Sequence, residues 1–193
     1  MLPHQISGGV ASLKPDEDRL CMVAEMLIDR AGETSQTQVY PAVMKSRARC
    51  TYEEVHRVLE GEQVPGRAEL KDLFERADAL AKTLTVMRLE RGAIDFDLPE
   101  SKIELAPDGQ PLRMVRRERL ESHRLVEECM LAANEAVAKW FRTRGLPTVN
   151  RFHAPPDEDK VALFQTLAGV YGVKVNTKKS LEPTSTELNS MLE

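Results

Sequence analysis

Between Arg67 and Arg91 apolar residues recur at three- and four-residue steps: Leu70, Leu73, Phe74, Ala77, Leu80, Ala81, Leu84 and Met87. A strand alternates every two residues and could not keep this stripe on one face. The spacing therefore predicts an amphipathic helix over about 68–91. At ~1.5 Å per residue it would run roughly 35 Å, long enough to set the scale of the fold. Gly92 follows as the natural residue to leave such a helix in the left-handed conformation. The helix delivers one short segment, Arg91-Gly92-Ala93-Ile94-Asp95-Phe96-Asp97-Leu98-Pro99-Glu100.

That segment supports two readings. Asp95, Asp97 and Glu100 could bind a hard cation, which needs several oxygen ligands, and two-metal nucleases use such clusters. Alternatively Phe96 is presented from a loop as a stacking platform. Acids this dense are also ordinary on a solvated loop.

The flanking elements read as mixed α and β. Leu20, Met22, Ala24, Met26 and Ile28 alternate within 19–30 and predict a strand. A turn over 31–35 leads to a second extended segment, Gln38 to Met44, where Pro41 implies an edge or bulge position. Thr51 and Glu54 form a capping-box pattern for a short helix through Val55, Val58 and Leu59, ended by Gly61. Lys102 to Arg117 reads as a hairpin turning at Pro107-Asp108-Gly109. A second long helix is expected over Arg119–Arg144, with Val126, Cys129, Ala133, Ala136, Val137 and Trp140 on its apolar face. His123, Glu127 and Asn134 line its flank, the usual place for a satisfied polar network.

Beyond Pro147, Thr148 to His153 resembles a short strand. A helix follows Pro155-Pro156-Asp157, with Val161, Phe164, Leu167, Ala168 and Tyr171 as its apolar face. After Gly172 the chain turns polar, and Glu187–Leu192 reads as a short helix without a packing partner. The predicted class is α+β, long amphipathic helices packed on an antiparallel sheet.

Composition narrows the chemistry. A net charge of −4 and pI near 5.7 give no global case for nucleic acid. Local clusters at Arg113, Arg116, Arg117, Arg119 and Arg124, and at Lys45, Arg47 and Arg49, read as solvated faces or as a phosphate track. Phosphate-loop, dinucleotide-binding, zincin and nucleophile-elbow motifs are missing. His4, His56, His123 and His153 lack metal-ligand spacing. Cys21, Cys50 and Cys129 fit buried thiols in a reducing cytoplasm. The longest apolar run, Leu20–Ile28, is too short for a membrane span, and no signal peptide is visible. The apolar, turn-rich opening from Met1 to Leu13 reads as the interior of something larger.

Several stretches together resemble an internal segment of the RNB catalytic domain of the bacterial ribonuclease R / ribonuclease II family. They are Met1-Leu2-Pro3, Ser7 to Leu13, Asp18 to Met22, Ala48 to Val55, Glu90 to Phe96, His123 to Asn134, and Arg151-Phe152-His153 with Pro156. The similarity runs in order over 1–172, a partial RNB domain, with 173–193 as its polar continuation.

The resemblance implies a processive, Mg²⁺-dependent 3′→5′ exoribonuclease acting on single-stranded RNA, releasing nucleoside 5′-monophosphates and monomeric at full length. Phe96 matches the phenylalanine that stacks on the 3′-terminal base. Tyr52 and Glu127, first of the Glu-Glu pair, match residues associated with the ribose 2′-hydroxyl, which distinguishes RNA from DNA. By the same resemblance the aspartate-rich metal cluster and a second stacking tyrosine would precede Met1. A catalytic arginine segment would follow Glu193. The isolated chain is therefore expected not to turn over. A rival expectation is a standalone, non-catalytic RNA-binding or scaffolding remnant.

Overall fold

The computed structural model describes residues 2–93, 100–151, 154 and 157–172. It is an α+β chain with two antiparallel two-stranded sheets and four α-helices among the described residues. The chain divides into two compact units, Met1–Leu84 with Arg119–Thr148, and Thr85–Glu118 with Val149–Glu193.

In the first unit, β1 (Asp18–Ile28) pairs antiparallel with β2 (Thr34–Lys45), from Asp18 opposite Lys45 to Ile28 opposite Thr34. Alternation predicts β1 well, but β2 begins four residues before the expected Gln38. Pro41 stands opposite Met22 within the paired stretch. In a two-stranded sheet each strand is an edge, so a proline lacking its N–H is accommodated. The bulge lies elsewhere. The register passes from Glu25 opposite Gln38 to Leu27 opposite Ser35, so Met26 faces both Gln36 and Thr37. Gln36 takes a φ of 50° there, the left-handed conformation that an extra bulge residue commonly adopts.

The helix α1 (Tyr52–Leu59) and α2 (Lys71–Glu90, entered through a 3₁₀ turn at Ala68–Leu70) enclose the main apolar cluster. Val58, Val64 and Phe74 are buried at its centre, with Cys50, Val55, Leu59 and Leu70 packed around them. Burying each such large side chain is worth about 1.5–3 kcal/mol. Leu73 is a correction: it is exposed. The buried line on α2 runs through Phe74, Ala81, Leu84 and Thr85, with Ala77, Asp78 and Leu80 half-buried beside it. One residue on a helix turns about 100°, so Leu73 falls just outside that line.

The helix α3 (Glu121–Thr143) packs against α1 and against both strands of the first sheet. Of its expected apolar face, Ala136 is buried and Cys129, Ala133, Val137 and Trp140 are half-buried. Ser122, Glu128 and Ala136 are the buried residues and Val126 is exposed. Apolarity alone points to Val126; the packing leaves it exposed and buries the polar Ser122 and Glu128 alongside the expected Ala136.

In the second unit, Gly92 takes a φ of 88° and closes α2. Its N–H donates to Leu89 O (2.8 Å), and the Ala93 N–H donates to Arg88 O (3.0 Å), a Schellman ending. The strands β3 (Glu100–Leu105) and β4 (Pro111–Arg117) form the expected hairpin. At its turn the Gly109 N–H donates to Ala106 O (2.8 Å), with Gly109 at a φ of 84°. Ile103, Leu105, Leu112 and Met114 share one face and are exposed.

The helix α4 (Glu158–Val170) begins after Asp157 as expected, but only Val161 of its apolar face is buried. Residues 148–151 form no strand, and Val149 is fully exposed. A strand needs a ladder partner, and none pairs with this stretch among the described residues. Phe152, His153 and the expected helix at Glu187–Leu192 lie outside the described residues. No described helix is long and apolar enough to cross a membrane.

Candidate functional site

The start of α1 is fixed by its own sequence. Thr51 has extended backbone, its Oγ1 accepts the Glu54 N–H (3.2 Å), and the Thr51 N–H donates to Glu54 Oε2 (2.9 Å). This is the predicted capping box, two orphan amides satisfied by two side chains. Arg67 reinforces it from outside the helix: Nη2 donates to Glu54 Oε1 (3.2 Å) and to Arg49 O (2.9 Å). The Thr51 amide first, and Arg67 after it, hold the Glu54 carboxyl below the usual glutamate range.

Tyr52 is the first residue of this helix, about two-fifths exposed. Its ring stacks on His123 of α3, centroids 4.0 Å apart and planes 17° from parallel. The adjacent Ser122, 1% exposed, donates its Oγ–H to the Tyr52 carbonyl (2.8 Å). His123 is itself held, since its Nδ1 accepts the Leu120 N–H (3.2 Å) at the entrance to α3.

One turn along α3, Glu127 Oε2 accepts from Arg119 Nη2 at 2.7 Å. Residues at i and i+4 are neighbours on a helix surface, so Glu127 lies beside the ring on which Tyr52 rests. Its sequence neighbour Glu128 differs entirely, at 2% exposed. Burial, with the Glu128 charge adding to it, pushes the Cys129 thiol up, which leaves it protonated and poorly nucleophilic.

Two of the three RNA-contact candidates are thus brought to the same region of α3: Tyr52 stacks on His123, and Glu127 lies one helical turn further along. Phe96, Asp95 and Asp97 lie outside the described residues, as does the side chain of Glu100. No three His, Cys, Asp or Glu side chains gather as metal ligands among the described residues. The arginine cluster is partly neutralised, with Arg113 on Glu104 (2.6 Å) and Arg119 on Glu127. The three cysteines are free and half-buried.

Sequence reasoning misses Ser122 and Arg67. A serine in the first turn of a helix is commonplace, and nothing near Arg67 marks it as the clamp on a segment eighteen positions away.

Over residues 1–193 the sequence matches the family described as RNB domain. It is 38% identical to ribonuclease R of Thermotoga maritima over 185 residues, covering 95% of this chain and 26% of that protein. The apo form of Mycoplasma genitalium RNase R superposes with a TM-score of 0.90 at 25% identity, covering 99% of this chain and 30% of that one. The same protein in complex with ribose methylated single-stranded RNA gives 0.91 at 24% identity, covering 99% and 30%. The chain spans about a quarter of the length of the curated relatives it matches (26%).

Proposed function

The chain belongs to the RNB domain family, and we propose that it supplies the 3′-end base clamp and part of the channel wall of a processive 3′→5′ exoribonuclease. The substrate is single-stranded RNA and the products are nucleoside 5′-monophosphates. One observation carries this reading: the Tyr52 ring stacks on His123 of α3, and Glu127 follows His123 by one turn of that helix.

Each residue has a physical task. A carboxylate such as Glu127 accepts a hydrogen bond from a ribose 2′-hydroxyl, which DNA lacks. The Arg119 contact engages one carboxylate oxygen and orients the other. The Tyr52 hydroxyl, on a partly exposed ring, supplies a second polar contact to the same sugar. Phe96 stacks on the terminal base, an interaction worth ~1–3 kcal/mol and indifferent to base identity, as a processive enzyme requires.

Mg²⁺, when bound in such an enzyme, activates water and neutralises developing charge. No three candidate ligands gather among the described residues, and Asp95 and Asp97 lie outside them. In this proposal other parts of the enzyme supply the metal ligands, and this chain holds RNA without turning it over.

The purified chain should bind a 5′-labelled oligoadenylate, measured by fluorescence anisotropy, and release no monophosphate in Mg²⁺. Phe96→Ala should weaken binding about tenfold, the worth of one stacked base. Monophosphate release that disappears in Phe96→Ala would overturn the assignment of inertness. A chain that binds no RNA at all would leave only the scaffolding role.

A further inference from the structure

Tyr52 is held more tightly than an exposed tyrosine at a helix start requires. Two consecutive residues of α3 grip it, Ser122 at the backbone carbonyl and His123 across the ring face. A capped first turn needs neither, because Thr51, Glu54 and Arg67 already satisfy that end of α1. The extra constraint acts on the side chain. A tyrosine left free at such a position samples several rotamers, and ordering it on ligand binding opposes that binding. A ring already stacked spares most of that cost.

The geometry points to His123 as a positioning residue for ribose recognition: its imidazole fixes the Tyr52 ring so that the phenol hydroxyl is presented, oriented, to the sugar. This rests on the reading of Tyr52 as an RNA contact. His123 suits the task because its own ring cannot turn freely, with Nδ1 anchored on the Leu120 amide. The anchor and the stack use different parts of the imidazole, the ring edge for one and the π-face for the other. The same residue leads directly to Glu127 one turn later, so one turn of α3 sets both polar contacts to the ribose. His123 touches no substrate atom in this scheme; it acts through Tyr52.

The test uses the full chain and two 5′-labelled oligoadenylates, one RNA and one with 2′-deoxyribose throughout its 3′ end. The readout is the ratio of their affinities. Tyr52→Phe should lower the RNA preference about fivefold, the worth of one neutral hydrogen bond. His123→Asn keeps an acceptor for the Leu120 amide but loses the ring, and should lower the preference to the same extent. His123→Phe restores a stacking face and should recover most of it. A structural role alone would weaken both strands together and leave the ratio untouched.

The Tyr52 ring resonances, observed by NMR in ¹³C-tyrosine-labelled protein, provide a readout free of RNA. They should lose their ring-current shift in His123→Asn and keep one in His123→Phe. If Tyr52→Phe lowers the preference and His123→Asn does not, the positioning role fails and the RNA reading stands. If Tyr52→Phe changes nothing, or the unsubstituted chain binds neither strand, the reading itself fails and this inference with it.

Discussion

The helices α1 and α4 start alike and are held differently. Each follows an extended N-cap residue, Thr51 or Asp157, and each carries two acids in its first turn. Yet the 8-residue α1 is anchored from three sides, by its capping box, by Arg67 and by the Ser122–His123 grip, while its Val58 joins the buried cluster. The 13-residue α4 buries Val161 alone and leaves Phe164, Leu167 and Tyr171 exposed. Asp157 makes no cap bond; its carboxylate lies 3.1 Å from the Lys160 ammonium at the surface. Length and a competent first turn thus do not make a helix secure. Isolated helices shorter than about 12–15 residues are marginal in water, so packing decides.

The largest break in this comparison should come from the two phenylalanines. Phe74 is 9% exposed and Phe164 is 39% exposed. Truncating a buried phenylalanine costs about 3–5 kcal/mol, so Phe74→Ala should remove most of the stability of the first unit in urea titration followed by circular dichroism. Phe164→Ala should cost less than about 1 kcal/mol, because much of its area already faces water. Equal losses would show that α4 is packed far better than its exposure indicates.

The caps should separate less widely. Thr51→Ala removes an acceptor from the Glu54 amide and should cost about 1 kcal/mol. Asp157→Ala removes an exposed ion pair worth under about 1 kcal/mol and should barely register. Amide hydrogen exchange, read helix by helix, distinguishes the two.

The smallest effect is one of pH. The Glu54 carboxyl titrates below its unfolded range because of the Thr51 amide and Arg67. Its stabilisation is therefore complete above the ordinary glutamate range and is lost as pH falls through the lowered folded value. Exchange at the Val55 amide, which donates to Thr51 O, should accelerate on that acidification. Glu54→Gln should flatten the dependence, and a profile unchanged by that substitution would place the protective ionisation elsewhere.

Much of the local structure was legible in the residues. The capping box at Thr51–Glu54, the Gly92 helix end, the Pro107-Asp108-Gly109 turn and the alternation of β1 all depend on neighbours within a few positions. The misreadings have one origin. Leu73 and Val126 are apolar and correctly spaced, yet both are exposed. Residues 148–151 have strand-like character and no partner among the described residues. Which side of a helix is buried, and whether a strand pairs, depend on what arrives from elsewhere in the chain.

The candidate site divides along the same line. Tyr52 and Glu127 were marked by the motifs that contain them, since Arg49-Cys50-Thr51-Tyr52 and the Glu127-Glu128 pair carry the family resemblance. Nothing in those motifs says that Tyr52 packs on the helix that carries Glu127, that Glu128 is buried while Glu127 is not, or that His123 is the surface on which Tyr52 rests. The sequence by itself determined where helices and turns begin and end, because caps, glycine conformations and apolar periods act within one or two turns of backbone. Only the tertiary structure decided which polar residues face one another, because a contact across seventy positions is set by the packing of α1 on α3.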